Sequence, residues 1–118
     1  MTDEERQRLL EVLSKTLTQK GIELMTEEQM ELALQRLKAR EEIESKIEEF
    51  RIRLRELTAR KQNISKKEFD SIVLDLYKQS SNAKWAILAK YNIVGRLAKS
   101  IYESSDDLSG DLSELYAP

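Results

Sequence analysis

The residues able to do acid–base or nucleophilic chemistry are few, because this chain of 118 residues contains neither histidine nor cysteine. Histidine is the commonest general base, and the cysteine thiolate is a strong nucleophile and metal ligand. A nucleophile would need a serine–lysine or paired-carboxylate arrangement, and no spacing singles one out. The three glycines are too scattered for a phosphate-binding loop. We therefore expect no enzymatic activity, no catalytic residue, no cofactor and no small-molecule ligand.

Two carboxylates, Glu44 and Glu48, lie one helical turn apart and would share a face of a helix. Carboxylate oxygens are the ligands that hard cations such as Mg²⁺ and Ca²⁺ prefer. The neighbouring residues are also charged, and such a pair is far more often the solvated face of a helix than a metal site. The sequence accordingly predicts no metal ligand.

A series of cations between Tyr77 and Tyr102, with no acid among them, is the feature most typical of phosphate binding. Trp85 and Tyr91 lie beside these cations and would be available to stack on bases. Against this interpretation, helical geometry spreads the cations around the helix, and the net charge of the chain is −2. A small helical nucleic-acid-binding regulator using residues 78–99 is therefore the alternative function, with four candidate contacts: Lys84, Lys90, Arg96 and Lys99.

Residues 104–118 form an acidic segment whose apolar residues recur at helical spacing. Gly110 and several serines disfavour an isolated helix here, so the pattern predicts a weakly ordered tail. Such a tail would fold onto the chain's own basic helix or dock into a groove of a partner protein. A frayed, solubilising terminus is the simpler interpretation. The candidate docking residues are Leu108, Leu112, Leu115 and Tyr116.

The elements that must position these residues are helices, since proline occurs once and strand-forming runs are scarce. The segments Met25–Met30 and Ile64–Phe69 share one pattern, a Thr or Ser cap followed three residues later by Gln or Glu, with apolar residues outside. This combination of capping box and hydrophobic staple marks a helix start after a tight reversal. With Gly21 ending the first helix and residues 80–82 interrupting a later one, the predicted helices are 3–20, 27–61, 66–79 and 83–103. The alternative at residues 80–82 is a helix that continues with a kink.

The predicted fold class is all-α, with helical hairpins forming a bundle around one long coiled-coil-like helix, about 27–61, and with residues 1–103 as one domain. Apolar residues in the second half of this helix follow the 4-3-4-3 spacing of a coiled-coil seam. We call them the seam: Ile43, Ile47, Phe50, Leu54 and Leu57. The seam is out of register with the apolar residues before position 38, so at residues 38–42 the helix would bend, overwind locally or change the neighbour that it faces.

The seam predicts association, because an apolar stripe on an otherwise charged helix requires another helix to cover it. Two short C-terminal helices would cover part of it, and a second copy in a homodimer would cover the rest. We therefore expect a non-enzymatic protein–protein interaction module: a small adaptor, assembly factor or regulator that binds itself and an unidentified protein. No signal-peptide pattern and no apolar run of ~20 residues is present, so we expect a cytoplasmic protein without a membrane segment.

Overall fold

The computed structural model describes all 118 residues, and every regular element in it is helical. This confirms the all-α class and the long helix at its centre. The α-helices are α1 (Asp3–Leu13), α2 (Gln19–Glu23), α3 (Glu27–Ala59), α4 (Lys66–Lys90), α5 (Gly95–Ser104) and α6 (Ser109–Leu115), with a short 3₁₀ helix at Lys61–Asn63. The chain divides into two compact units, unit 1 (residues 1–39) and unit 2 (residues 40–118), and α3 contributes to both. No helix combines the length and the apolar composition needed to cross a lipid bilayer.

The two predicted helix starts lie where the sequence places them. At the start of α3 the Gln29 backbone N–H donates to the Thr26 hydroxyl at 3.1 Å, and the Thr26 N–H donates to the Gln29 side chain at 2.9 Å. At the start of α4 the Glu68 N–H donates to the Ser65 hydroxyl at 3.1 Å. These bonds satisfy backbone donors that a helix leaves unpaired at its first turn. The flanking apolar residues pack into the adjacent clusters: Met25 and Met30 in unit 1, Ile64 and Phe69 in unit 2.

The predicted first helix, 3–20, is two helices in the structure, because a second cap interrupts it. Helix α1 ends at Leu13, and the Thr18 hydroxyl then accepts a hydrogen bond from the Gly21 N–H at 3.1 Å. This threonine begins α2 in the way that Thr26 begins α3. Gly21 therefore lies inside a short helix, and the expectation that it ends the first helix is wrong.

The break predicted at residues 80–82 is absent, and α4 continues to Lys90. The buried Ser80 is tolerated because its hydroxyl donates to the Tyr77 carbonyl at 2.7 Å. The chain turns instead at Asn92, whose φ of 57° is left-handed. The Asn92 N–H donates to the Ala89 carbonyl and the Ile93 N–H to the Leu88 carbonyl, both at 3.0 Å, which is the Schellman pattern.

The Asn92 turn yields a stability prediction. Asn92→Ala is expected to destabilise the fold by about 1 kcal/mol, since a left-handed conformation costs roughly that much for a residue without a short polar side chain. Asn92→Gly is expected to preserve stability or to raise it by a few tenths of a kcal/mol. Urea denaturation followed by circular dichroism measures both. Asn82→Ala, at an exposed position inside α4, is the matched control and is expected to be neutral or stabilising. Equal effects of the two alanine substitutions would contradict this account of the turn.

The seam residues are buried within a single chain. Ile43 and Ile47 are 0% exposed, and the other three are at most 6% exposed. Leu54 and Leu57 form one cluster with Phe69 and Val73 of α4, and Leu112 and Leu115 of α6 pack against it. This corrects the expectation that self-association must cover the seam: Ile43, Ile47, Phe50, Leu54 and Leu57 are already shielded from water within one chain. Residues 104–118 supply a further helix, which covers the Leu54 and Leu57 end.

The C-terminal residues 104–118 also differ from expectation. They are not a weakly ordered tail separate from a 1–103 domain, since α6 is helical and belongs to unit 2. Leu108 is fully buried, and Leu112 and Leu115 are partly buried against the α3–α4 cluster. These three leucines therefore stabilise the chain's own fold by packing against it, while Tyr116 remains half-exposed.

Candidate functional site

One arginine of α3 holds the start of the C-terminal segment in place. The Arg51 Nη1 and Nη2 atoms donate to the two carboxylate oxygens of Asp106, each at 2.7 Å. Its Nε donates to Asp111 at 3.0 Å, and Nη2 also donates to the Asp107 carbonyl at 3.1 Å. A planar guanidinium matches a carboxylate in this two-bond geometry. We call the contacts of Arg51 with Asp106, Asp107 and Asp111 the Arg51 clamp.

The charges of the clamp stabilise one another. The hydrogen bonds to Asp106 and Asp111 raise the pKa of Arg51 above its ordinary value, and the bond to Asp106 has the larger effect. Burial acts in the opposite direction but is outweighed. The bond from Arg51 lowers the pKa of Asp106 below its ordinary value, so this carboxylate stays ionised in mild acid. The clamp therefore joins α6 to α3 by charge-assisted hydrogen bonds in addition to the buried leucines.

The four basic residues proposed for nucleic-acid contact do not form one surface. Lys84 is only 1% exposed, and its ammonium donates to the Tyr102 carbonyl at 2.8 Å. Burial lowers the pKa of Lys84, an effect that the negative charges of Asp107 and Asp106 oppose. A buried ammonium does not reach a phosphate, so the structure removes Lys84 from that list of contacts.

Lys90 is also engaged within the chain. Its ammonium donates to Glu42 at 2.8 Å, and the Tyr91 hydroxyl donates to the same carboxylate oxygen. Both bonds lower the pKa of Glu42, and the bond from Lys90 has the larger effect. Arg96 and Lys99 remain exposed beside a shallow depression of about 470 Å³ that also includes Glu103. The Lys99 ammonium lies 3.9 Å from the Glu103 carboxylate, so two exposed cations and an acid share this surface, which is a weak basis for phosphate recognition.

The paired carboxylates of α3 are solvent-exposed, and Glu48 has cationic partners. Glu48 lies 3.3 Å from Arg55 and 3.7 Å from Arg51. No group of three or more carboxylates is close enough together in the chain to hold a metal ion. Glu48 thus interacts with neighbouring cations on the charged face of α3.

The surface with the largest exposed apolar side chains lies on α4. Leu74, Tyr77, Ser81 and Trp85 follow one another at intervals of three or four residues, so they share one side of the helix. Leu74 is 53% exposed and Trp85, the only tryptophan of the chain, is 43% exposed. Helix α4 buries an adjoining stripe through Phe69, Val73, Ile87 and Leu88. It therefore carries apolar residues on more of its circumference than unit 2 covers.

Neighbouring tyrosines extend this surface at both ends. The Tyr102 ring of α5 stacks on Trp85 with ring centroids 4.5 Å apart and planes 9° from parallel. The Tyr102 and Ser81 hydroxyl groups are 2.6 Å apart, which fixes the ring. At the other end the Tyr116 hydroxyl donates to Asp70 at 2.7 Å. Burial has the largest effect on the pKa of Tyr116, and the bond to Asp70 and the charge of Asp70 add to it. Together they raise this pKa to about 12, so the Tyr116 hydroxyl remains a donor at neutral pH.

We call this surface the aromatic face, defined by Leu74, Tyr77, Trp85, Tyr102 and Tyr116. Its Tyr116 end contains a shallow groove of about 280 Å³ whose walls are almost entirely apolar, formed by Val73, Leu74, Tyr77, Leu112 and Tyr116 with Asp70 at the rim. The groove is open to solvent, and the hydrogen bond to Asp70 orients its Tyr116 ring. This arrangement suits an apolar side chain presented by another protein.

Of the aromatic face, only Tyr116 is among the docking residues predicted from the sequence, although a signal for the rest was present. The predicted contacts include Trp85 only as a residue available to stack on bases, and they do not include Leu74, Tyr77 or Tyr102. The apolar residues of α4 nevertheless recur at helical spacing and form a stripe. The stripe is unusually wide: besides the core positions it includes Ile72, Leu74 and Tyr77, which the structure leaves exposed. A stripe wider than one neighbouring helix covers predicts a second contact surface.

Comparison with protein-family models, with curated proteins and with solved structures found no match to this chain. The fold and the aromatic face define the chain as a small helical protein with an unoccupied apolar surface.

Proposed function

We propose that this chain is a protein–protein interaction module, a small adaptor, assembly factor or regulator, which binds its partner through the aromatic face. The observation that carries the proposal is a group of exposed aromatic side chains, Tyr77 and Trp85 on α4 with Tyr116 beside them, of which Trp85 is stacked on Tyr102 and Tyr116 is bonded to Asp70. Tryptophan and tyrosine dominate the energetics of protein interfaces, since they bury a large area and lose little conformational entropy. Apolar residues scattered singly on a surface need no explanation, but here they are grouped.

The geometry favours a helical segment as the partner. The aromatic face runs along α4 from Leu74 to Trp85, about 16 Å at 1.5 Å per residue. That length corresponds to three turns of a second helix with apolar residues at helical spacing, the usual mode of helix-in-groove recognition. The groove beside Tyr116 would receive one apolar side chain of the partner, with Asp70 at its rim.

Photo-crosslinking tests the proposal. A photoreactive amino acid placed at Tyr77 in the full chain, expressed in its native cell, is expected to give a crosslinked product of defined mass. The same residue at Ile52, a half-exposed apolar position of α3 away from the aromatic face, is the matched control. Products that form equally at both positions, or at neither, would argue against the aromatic face as the interface.

Binding by the identified partner then provides a quantitative test. Tyr77→Ala is expected to weaken binding by roughly 30-fold, the effect of losing a hot-spot side chain worth about 2 kcal/mol. Ile52→Ala is expected to change the affinity less than twofold. Trp85 is the only tryptophan, so a blue shift of its fluorescence on binding would report burial of the face directly. Wild-type affinity in the Tyr77 variant would refute the proposed role.

A further inference from the structure

Unit 1 has a small core for a helical unit. Leu9, Met30 and Leu34 form its buried cluster, and Ile22 is buried in α2. A unit of about 40 residues seldom buries enough apolar surface to be stable without a crosslink, a metal or a second chain. No disulfide is available here, because the chain has no cysteine. Additional apolar contacts would therefore stabilise this unit more than they would a larger one.

Apolar side chains that would make such contacts surround an open groove of about 610 Å³ in unit 1. Its walls include Leu17 next to α2, Leu24 at the end of α2 and Leu32 on α3. Leu24 is 73% exposed, and the other two are nearly half-exposed. Three leucines directed at one open groove form an apolar patch of the kind that marks a binding surface. We call it the unit 1 groove.

The charges beside Leu32 indicate what covers the unit 1 groove. Glu28 and Arg36 lie one helical turn before and one after Leu32, so both border its side of α3. Both are exposed, and the structure gives neither of them an ion-pair partner within the chain. When two α3 helices cross antiparallel at Leu32, Arg36 of each copy lies level with Glu28 of the other. The pattern is self-complementary, as a two-fold interface requires.

We propose that the unit 1 groove binds a second copy of this chain in a two-fold dimer, with the α3 segments antiparallel and crossing at Leu32. The contact buries Leu17, Leu24 and Leu32 of both copies and forms two ion pairs between Glu28 and Arg36. It uses unit 1 alone, so it does not depend on the aromatic face of unit 2. A dimer would present two aromatic faces and thereby raise avidity for a repeated partner.

The mass of the full chain in solution tests this proposal. Light scattering on a size-exclusion column is expected to show a doubled mass at about 100 μM and dissociation on dilution, as for a micromolar dimer. Leu24→Ser/Leu32→Ser is expected to be monomeric with unchanged helicity, since both side chains are exposed in the single chain. Ile52→Ser, an exposed apolar site of α3 outside unit 1, is expected to remain dimeric. A monomeric wild-type chain, or a dimer unaffected by the leucine substitutions, would overturn the proposal.

Charge reversal tests the antiparallel arrangement. Glu28→Arg and Arg36→Glu each place like charges opposite one another twice per dimer, so each is expected to weaken the dimer roughly three- to tenfold. The double variant restores opposite charges at both positions and is expected to bind within about twofold of wild type. If the two effects simply add in the double variant, Glu28 and Arg36 do not face each other, and the proposed crossing is wrong.

Discussion

Ile47→Asp is expected to unfold unit 2. Ile47 is 0% exposed in the middle of the seam, and even truncation to alanine at such a site costs about 2–5 kcal/mol. An unpaired buried carboxylate costs several kcal/mol more unless it takes up a proton. Because a domain of this size is stable by about 5–15 kcal/mol in total, most molecules of the variant are expected to be unfolded at neutral pH. Circular dichroism with a urea titration measures the loss.

The neighbouring Ile52 provides the control on the same helix. It is half-exposed, so Ile52→Asp is expected to change the free energy of unfolding by less than about 0.5 kcal/mol. Comparing Ile47→Asp with Ile52→Asp also distinguishes a seam that is covered by its own chain from one that is covered by a second copy. If one chain covers the seam, Ile47→Asp removes helicity; if a second copy covered it, the variant would be a folded monomer. A folded, stable Ile47→Asp chain would therefore contradict the burial described above.

Arg51→Met is expected to destabilise the fold by about 2–3 kcal/mol and to release α6 first. The substitution keeps most of the apolar stem of the side chain but removes the bonds to Asp106, to Asp111 and to the Asp107 carbonyl. Hydrogen exchange measures the local effect: backbone amides of α6 are expected to exchange roughly 30- to 150-fold faster, the factor that corresponds to that free energy.

Arg55→Met is the matched control four residues away. The Arg55 side chain is 68% exposed and has one partner, Glu48, whereas that of Arg51 is 23% exposed and bonded to three residues of the C-terminal segment. Exposed pairs contribute little, so the control is expected to cost less than about 0.5 kcal/mol. Similar effects of the two substitutions on α6 exchange would show that the clamp does not hold the segment.

The clamp also predicts a dependence on pH. The pKa of Asp106 is lowered in the folded chain, so the unfolded chain binds more protons in acid than the folded one does. The stabilisation from this carboxylate is fully present above about pH 5 and is lost as the pH falls below about 4, through the lowered pKa. Arg51→Met removes the cause of the shift. The stability difference between wild type and variant is therefore expected to shrink in acid, and a constant difference would contradict the role of Asp106.

The sequence by itself determined the helical class and the helix starts at Thr26 and Ser65. A cap is a local device: the side chain bonds a backbone N–H three residues away, so no distant residue is required. The spacing along α3 likewise identified Ile43, Ile47 and the rest of the seam as residues to be covered. Where local signals competed, the sequence misled, as at Gly21 and at the serines of α4. The Ser80 hydroxyl bonds a carbonyl of its own helix, and the Ser81 hydroxyl pairs with Tyr102, so neither serine breaks the helix.

Only the tertiary structure decided which residues cover the seam and which apolar residues stay exposed. Apolar attraction has no direction, so a stripe of leucines and isoleucines shows that cover is needed but not whether α6 or a second copy provides it. The charge of Lys84 likewise predicted an exposed contact, while packing buried it beneath Tyr102. The aromatic face results from the same competition for cover: α4 carries more apolar surface than its neighbours can bury, and what they leave exposed includes Leu74, Tyr77 and Trp85.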